Sequence, residues 1–286
     1  MRIYNGGLPD KVSIIVPARN EEACLGACLE SLTTQAGVVS EIIVVDDSST
    51  DRTRRIAESF SSVQVVSAPL PPPGFSGKCN ACQAGADCSN GDWLLFTDAD
   101  TVHRPASLAR ALAEAQENHA DLLSYSPQQE VHGIIERALM TVIFAELAST
   151  FSPQDVCDPK SPVAAANGQY LLITREAYQS VGGHAAVAQT LLEDVALAAN
   201  VKRSGRRLYF RYAGDAVRTR MYRTLPALWE GWTKNLTLLF PETLQLAARR
   251  GIEFLVASAG IAAVVIGLLF GHPVLAAAGV LAAVPT

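Results

Sequence analysis

The chain has 286 residues, 49% of them hydrophobic and 18% charged, with a formal net charge of −5. That length holds one large domain, or one domain with a small appendage. The acidic balance, with no Lys/Arg-dense stripe, excludes a general nucleic-acid binder.

The opening stretch, MRIYNGGLPDKVSIIVPARNEE, lacks the long apolar core of a signal peptide, which predicts that the body of the chain stays in the cytoplasm. VSIIVPA (12–18) reads as a continuous apolar strand, and NEEACLGACLESL as a helix opened by Asn20. EIIVVDD (41–47) is the next strand. STDRTRRIAESF follows as a helix capped by Ser or Thr, with Asp51 in its first turn. VQVVSA (63–68) is the third strand. The proline-rich PLPPPGFSG then leads into a helix that begins near Lys78. DWLLFTDAD is the fourth strand, and SLARALAEAQENHA the helix after it. Strands without polar alternation, spaced by helices, predict a mostly parallel sheet covered on both faces. That is a doubly wound α/β domain, whose ligand site lies outside the carboxyl ends of the strands.

The second half is less regular. GIIERALMTVIFAELAST (133–150) is an apolar helix that suits either a core or a membrane surface. AAANGQYLLITREAYQSVGGH supplies a strand and a short helix ended by Gly182-Gly183. TLLEDVALAANVKRSG is a helix with Glu193 and Asp194 at its start and Gly205 at its end. RRLYFRYAG and AVRTRMY read as strands. In TLPALWEGWTKNLTLLF (224–240), Trp229, Trp232 and Phe240 mix with Lys234 and leucines, which suits an interfacial helix. FLVASAGIAAVVIGLLF (254–270) is seventeen residues without charge, about 25 Å as a helix against a hydrocarbon core of ~30 Å. Arg249 and Arg250 before it favour a cytoplasmic catalytic domain on the cell membrane. After Gly271-His272-Pro273, VLAAAGVLAAVPT is too short to span. Either the sequence stops short there or this piece re-enters and packs on the first helix. The expected division is a catalytic domain over 1–223, an amphipathic interfacial region over 224–250, and transmembrane sequence over 251–286.

Six cysteines include Cys79, Cys82 and Cys88 in KCNACQAGADC. A zinc site wants four ligands, and no second pair accompanies that C-x-x-C, so small buried helix residues are the expectation.

The strand ends carry the chemistry. Pro17, Arg19 and Glu21 follow the first strand, Asp46 and Asp47 end the second, and Asp98 and Asp100 end the fourth, all on one edge of the sheet. Along an extended chain Asp98 and Asp100 fall on the same side. Two hard carboxylates held that close repel each other unless a cation meets them. Mg²⁺ or Mn²⁺, shared with substrate phosphates, is the expected partner.

VSIIVPARNEE, EIIVVDDSSTDRT, LLFTDADT and LLEDVALA, in this order and spacing, resemble family 2 glycosyltransferases of the GT-A fold over about residues 11–235. Together with GFSGK, ANGQYLLITREAYQSVGGH and TRMYRTLPALWEGWTKN, they look closest to membrane-associated bacterial carotenoid (diaponeurosporenoate) glycosyltransferases, and less closely to hopanoid-associated ones. The resemblance implies that Pro17, Arg19 and Glu21 line a nucleoside pocket, and that Asp47 hydrogen-bonds uracil. By the same likeness Lys78 approaches the base or diphosphate, Asp98 faces the ribose or sugar and shares the metal, and Asp100 ligates it. Asp194, beside Glu193, matches the catalytic base. Gly168 and Gln169 would lie under the acceptor, and His184 would touch diphosphate or acceptor or be structural. Arg220, Trp232 and Lys234 belong to the acceptor side. Ser48 stands where Gly is usual, a change expected to be harmless. A Gln-x-x-Arg-Trp motif of the processive synthases is absent, which implies a single transfer. The expected partners are a UDP-sugar, a lipid or isoprenoid acceptor and a membrane, with no nucleic acid and no protein partner evident.

Three rival readings stand beside it. A nicotinamide dehydrogenase needs G-x-G-x-x-G after the first strand, where this chain has PARNEE. A nucleotidyltransferase wants a Gly-rich triphosphate loop in the same place. A membrane-tethered binding protein without catalysis has no need of Asp98, Asp100 and Asp194 together.

Overall fold

The computed structural model describes residues 10–35, 37–222, 224–240, 242–274, 277, 278 and 280. The chain divides into two compact units, 1–225 and 226–286.

The first unit opens with β1 (Val12–Ala18), α1 (Leu25–Thr33), β2 (Val39–Asp46), α2 (Thr53–Glu58), β3 (Val63–Ser67) and α3 (Gly77–Cys88). β4 (Trp93–Phe96), β5 (Thr101–His103), α4 (Ser107–Glu117), β6 (Leu122–Ser126), β7 (Gln128–Gln129), α5 (Gly133–Thr150) and α6 (Pro153–Cys157) follow. β8 (Leu171–Thr174), α7 (Arg175–Ser180), a 3-10 turn (Gly183–Val187), α8 (Glu193–Arg203), β9 (Leu208–Tyr212) and β10 (Val217–Thr219) complete it.

Seven strands form one sheet in the order β3-β2-β1-β4-β8-β6-β9. All neighbours run parallel except β8, which is antiparallel to both β4 and β6. The sheet is therefore mixed, with one strand reversed in a doubly wound frame. β1 shows why both faces must be covered: Val12, Ile14 and Val16 enter one core cluster, and Ile15 enters the other. Leu25, Leu29 and Leu32 of α1 and Leu108 and Leu112 of α4 close the first face. Ala81 and Cys82 of α3, Tyr178 of α7 and Leu197 and Val201 of α8 close the second. Each fully buried Ile or Leu there is worth about 1.5–3 kcal/mol of transfer free energy.

From β1 the chain steps outward through β2 and β3, then returns to β4 on the other side of β1. The crevice beyond β1 and β4 is the switch point where such sheets take ligands. A second sheet, β5-β10-β7, stands beside it, with Thr101 opposite Thr219 and His103 opposite Val217.

Several expectations need correction. Asn20 does not open α1. It adopts a left-handed φ of 56° and accepts from Thr50 N at 2.9 Å, while α1 begins after Cys24. Asp51 lies outside α2, with its Oδ1 accepting from Thr53 N at 2.9 Å, and the cap position falls on Arg52 rather than on a Ser or Thr. Ser48 also has a left-handed φ, 57°, so a serine there carries strain that glycine would not. AVRTRMY pairs only over Val217–Thr219. α5 is not core: Met140 is its one buried residue, Ile143, Phe144 and Leu147 are half-buried, and Ile134, Ile135 and Val142 are exposed.

The second unit holds α9 (Leu225–Leu239, whose first residue closes the first unit) and α10 (Thr243–Leu269). On α9, Trp232 is buried and Trp229 exposed. α10 runs 27 residues, about 40 Å at 1.5 Å per residue, with mean hydropathy 2.4 over its most apolar window. It is long and apolar enough to cross a membrane, and Gly260 and Gly267 are its only buried positions. The proposed re-entry of VLAAAGVLAAVPT falls largely outside the described residues.

Candidate active site

Pro17 and Ala18 close β1, and the chain then turns, with Asp47 N–H donating to Ala18 O at 2.9 Å. That bond sets the loops after β1 and β2 side by side. Arg19, mostly exposed, reaches Asp47 Oδ2 at 3.5 Å. Asp47 also packs on the start of α3: a Cβ on Gly77 would fall 2.3 Å from its Oδ2. Only glycine lets the carboxylate sit there, where helix N–H groups favour negative charge. Ser76 caps α3 by accepting from Cys79 N at 3.1 Å. The carboxylate of Glu21 is held by the Cys24 thiol at 2.9 Å, so it braces its own loop beside the cleft.

Lys78, on the first turn of α3, stands at the centre. Its ammonium lies 2.9 Å from Asp98 Oδ1 and 3.0 Å from Glu193 Oε1. Burial alone would push the ammonium's pKa down. The charges of Asp98 and Glu193 outweigh it and hold the group well above the usual lysine range. Pro17, Lys78, Asp98, Gly168, Glu193 and Asp194 border one cleft, with Cys82, Phe96, Thr97, Leu171 and His184 completing its wall.

Asp98 and Asp100 do not share one side of an extended strand. β4 stops at Phe96, and Thr101 N–H donates back to Asp98 O at 3.2 Å, so the two carboxylates sit on a turn. Asp98 meets Lys78 in an ion pair. Asp100 is the group left over. Its Oδ1 is buried with no hydrogen-bond partner, and burial, then the charge of Asp98, pushes its pKa up to about 6. A buried carboxylate oxygen in that state fits a divalent cation. Among the described residues no group of three or more His, Cys, Asp or Glu is placed to hold a metal. A cation bound by Asp100 would therefore complete its shell with ligand phosphates and water.

Asp194 begins α8. Its Oδ2 accepts from Gly168 N at 2.7 Å and its Oδ1 from Val195 N at 2.8 Å. Burial, then the neighbouring charge of Glu193, raises its pKa to about 6, against the pull of Lys78 and the two N–H groups. Gly168 brings the backbone close: a Cβ there would lie 3.3 Å from Lys78 Nζ and 3.4 Å from Asp194 Oδ2. Its close approach thus serves Asp194.

Gln169 is not an acceptor-facing group. It is buried, and its Nε2 donates to Thr219 Oγ1 at 3.1 Å. His184 lines the cleft but is buried, with Nδ1 2.9 Å from Tyr178 OH and its ring edge-on to Phe96 at 4.6 Å. Burial, then Lys78, holds its pKa down at about 3, so it is a neutral packing group. Arg220 is half-buried, with its Nε unpartnered. Trp232 is buried and Lys234 exposed on α9, in the second unit. Cys82 escaped sequence reasoning, although it lies one helical turn from Lys78, a spacing that puts both on one face. Thr97 carried no such signal.

The family model described as glycosyl transferase family 2 matches residues 13–181. The chain belongs to that family. It is 31% identical over 243 residues to the 4,4'-diaponeurosporenoate glycosyltransferase of Staphylococcus haemolyticus, covering 82% of this chain and 63% of that protein. The Staphylococcus aureus protein of the same name is 30% identical over 234 residues, covering 79% and 60%. The chain thus spans about three-fifths of the length of these relatives. Among solved structures, the mannosyltransferase PcManGT of Pyrobaculum calidifontis, in complex with GDP-Man and Mn²⁺, matches with TM-score 0.58 and 19% identity, over 77% of this chain and 59% of that one. The Mycobacterium tuberculosis glucosyl-3-phosphoglycerate synthase, in complex with Mn²⁺, UDP and glucosyl-3-phosphoglycerate, matches with TM-score 0.52 and 23% identity, over 78% and 75%. These two likenesses concern the fold.

Proposed function

We propose that this family 2 member moves one hexose from a UDP-sugar, UDP-glucose by default, onto a lipid or isoprenoid acceptor, with inversion and with the help of Mn²⁺ or Mg²⁺. The observation that carries the reading is the cleft where Lys78 and Asp194 meet, beside the unpartnered buried carboxylate oxygen of Asp100. The names of the staphylococcal relatives support the acceptor class. The solved neighbours bound to Mn²⁺ with UDP or GDP-Man support the donor class and the metal.

Asp100 would hold the cation, which supplies Lewis-acid charge at the donor diphosphate. Lys78 adds a second positive charge there, exchanging a carboxylate partner for phosphate oxygen. Asp47 takes the uracil, Pro17 and Arg19 border the nucleoside, and Asp98 faces the ribose or sugar. The acceptor oxygen attacks the anomeric carbon from the face opposite UDP, and the bond from that carbon to the diphosphate oxygen breaks. Asp194 takes the hydroxyl proton. With a pKa near 6 it is mostly ionised at neutral pH and still basic enough to act, a role worth roughly 10²–10⁴-fold. α10 would cross the membrane with Arg249 and Arg250 at its cytoplasmic end, and exposed Trp229 of α9 would lie at the interface.

The test is cation-dependent release of UDP from UDP-glucose, with Asp100→Ala as control, alongside mass spectrometry of lipids from cells with and without the chain. A hexose increment on an isoprenoid is expected. Turnover indifferent to chelation and to Asp100→Ala would remove the reading.

A further inference from the structure

The turn that carries Asp98 and Asp100 rests on a buried polar ring that the chemistry above does not use. Thr97, Thr101, His103, Gln169 and Thr219 are each at most 5% exposed. Thr101 Oγ1 donates to Asp98 O at 2.7 Å, and Thr97 Oγ1 to Gln169 O at 2.8 Å. Gln169 Nε2 donates to Thr219 Oγ1 at 3.1 Å, and Thr219 Oγ1 to Asp100 O at 3.3 Å. His103 Nε2 lies between the two remaining hydroxyls, 3.1 Å from Thr97 and 3.2 Å from Thr101.

Counting hydrogens fixes the tautomer. A carbonyl only accepts, so each threonine gives its single hydroxyl hydrogen to its carbonyl. Both oxygens are then left as acceptors, 2.9 Å apart. Cys28 Sγ, 3.8 Å from Thr101 Oγ1, offers that oxygen a weak donor, but among the described residues only His103 Nε2–H is then left to donate to Thr97 Oγ1, and it reaches both. The other nitrogen agrees: Nδ1 is buried without a partner, and a proton there would be a stranded donor. Burial also holds the ring neutral, with its pKa pushed down to about 3. Strand alternation brings the parts together, because Thr101 and His103 share one face of β5 and Thr219 sits opposite Thr101 on β10.

We infer that His103 is a positioning residue: as an Nε2–H donor it locks Thr97 and Thr101, and through them fixes the Asp98–Asp100 turn relative to the Gly168-Gln169 backbone that holds Asp194. Each end of the ring grips a backbone carbonyl of the acidic turn. The middle grips Gln169, whose neighbour Gly168 donates to Asp194. One buried chain therefore sets the spacing between the diphosphate side and the proton-accepting side of the cleft.

The first test needs no ligand. Long-range ¹H–¹⁵N spectra of the full chain, labelled with [¹⁵N]histidine in detergent, report the tautomer, with His103→Gln identifying the signals. A proton on Nε2 and a bare Nδ1, unchanged across neutral pH, are expected; a proton on Nδ1 overturns the inference. The second test rests on the function proposed above. His103→Leu should weaken UDP affinity in the presence of Mn²⁺ about tenfold. His103→Gln, which keeps an N–H donor, should stay within about twofold of wild type. A lower denaturation midpoint for His103→Leu with unchanged UDP affinity would make the residue merely structural and overturn the inference. If His103→Leu does not fold, Thr101→Val and Thr219→Val each remove one link of the ring and should weaken UDP in the same way. If the wild-type chain does not bind UDP at all, the proposed function fails, and the tautomer still decides the role of His103.

Discussion

Replacing Glu193 with Gln removes one negative charge beside Asp194 while keeping the side chain's size. The pKa of Asp194 stands at about 6 against an ordinary 3.8, a gap of roughly 2 units or ~3 kcal/mol. Burial is the larger cause and Glu193 the second, so the charge supplies less than half of the upward push, which Lys78 and two N–H groups partly offset. Glu193→Gln should therefore move the acid limb of kcat/KM, measured on a hydroxyl acceptor, down by about 0.5–1 unit. Lys78→Met removes the opposing charge and should move the same limb up, whatever it does to the height of the profile. The two variants must shift in opposite directions. A limb that stays put in both, or moves the same way, would refute the assignment of Asp194 as the group whose ionisation limits the rate.

Asp194→Asn should lose roughly 10²–10⁴-fold on an alcohol acceptor but keep much of its rate on a carboxylic acid, which is already ionised at neutral pH; equal losses on both would contradict the proton-accepting role. The same variant tests linkage. A carboxyl raised in the folded state contributes stability below its ordinary pKa that is lost as pH rises through about 6. Asp194→Asn should thus gain up to ~3 kcal/mol over wild type above pH 6, less whatever follows from an amide accepting only one of its two N–H partners. Chemical denaturation at two pH values should show that gain fading toward pH 4. Gly77→Ala puts a Cβ 2.3 Å from Asp47 and should raise the donor KM about tenfold with little change in thermal midpoint. Gly85→Ala, 2.5 Å from Ile15 in the core, should instead cost about 1–3 kcal/mol of stability and leave the donor KM alone.

The parallel half of the fold was legible because central strands covered on both faces must be apolar at nearly every position, as VSIIVPA is apart from Ser13 and IIVV (42–45) is throughout. LLSYS (122–126) hid for the opposite reason. All five of its residues are buried, but two are serines, and Ser124 is satisfied by Asn167, which no local pattern records. The reversal of β8 is likewise absent from the local sequence, since an apolar run has no direction. At the site, the convergence of strand ends could be read from order alone. The geometry of Asp98-Ala99-Asp100 could not: alternation assumes an extended chain, and this one turns. Asn20 failed as a helix start because its left-handed φ serves the loop contact with Thr50. Gln169 looked like a ligand group from its glycine-flanked setting, and only the register of β10, on a strand fifty residues away, shows that Thr219 claims its amide.

The proposed role of Asp100 is to serve a cation that holds the diphosphate of the donor. Calorimetric titration of UDP into the full chain, with and without Mn²⁺ and with Asp100→Ala, tests it most directly. Affinity should rise with Mn²⁺ in the wild type and not in the variant. UDP binding of equal strength in all four combinations would contradict it.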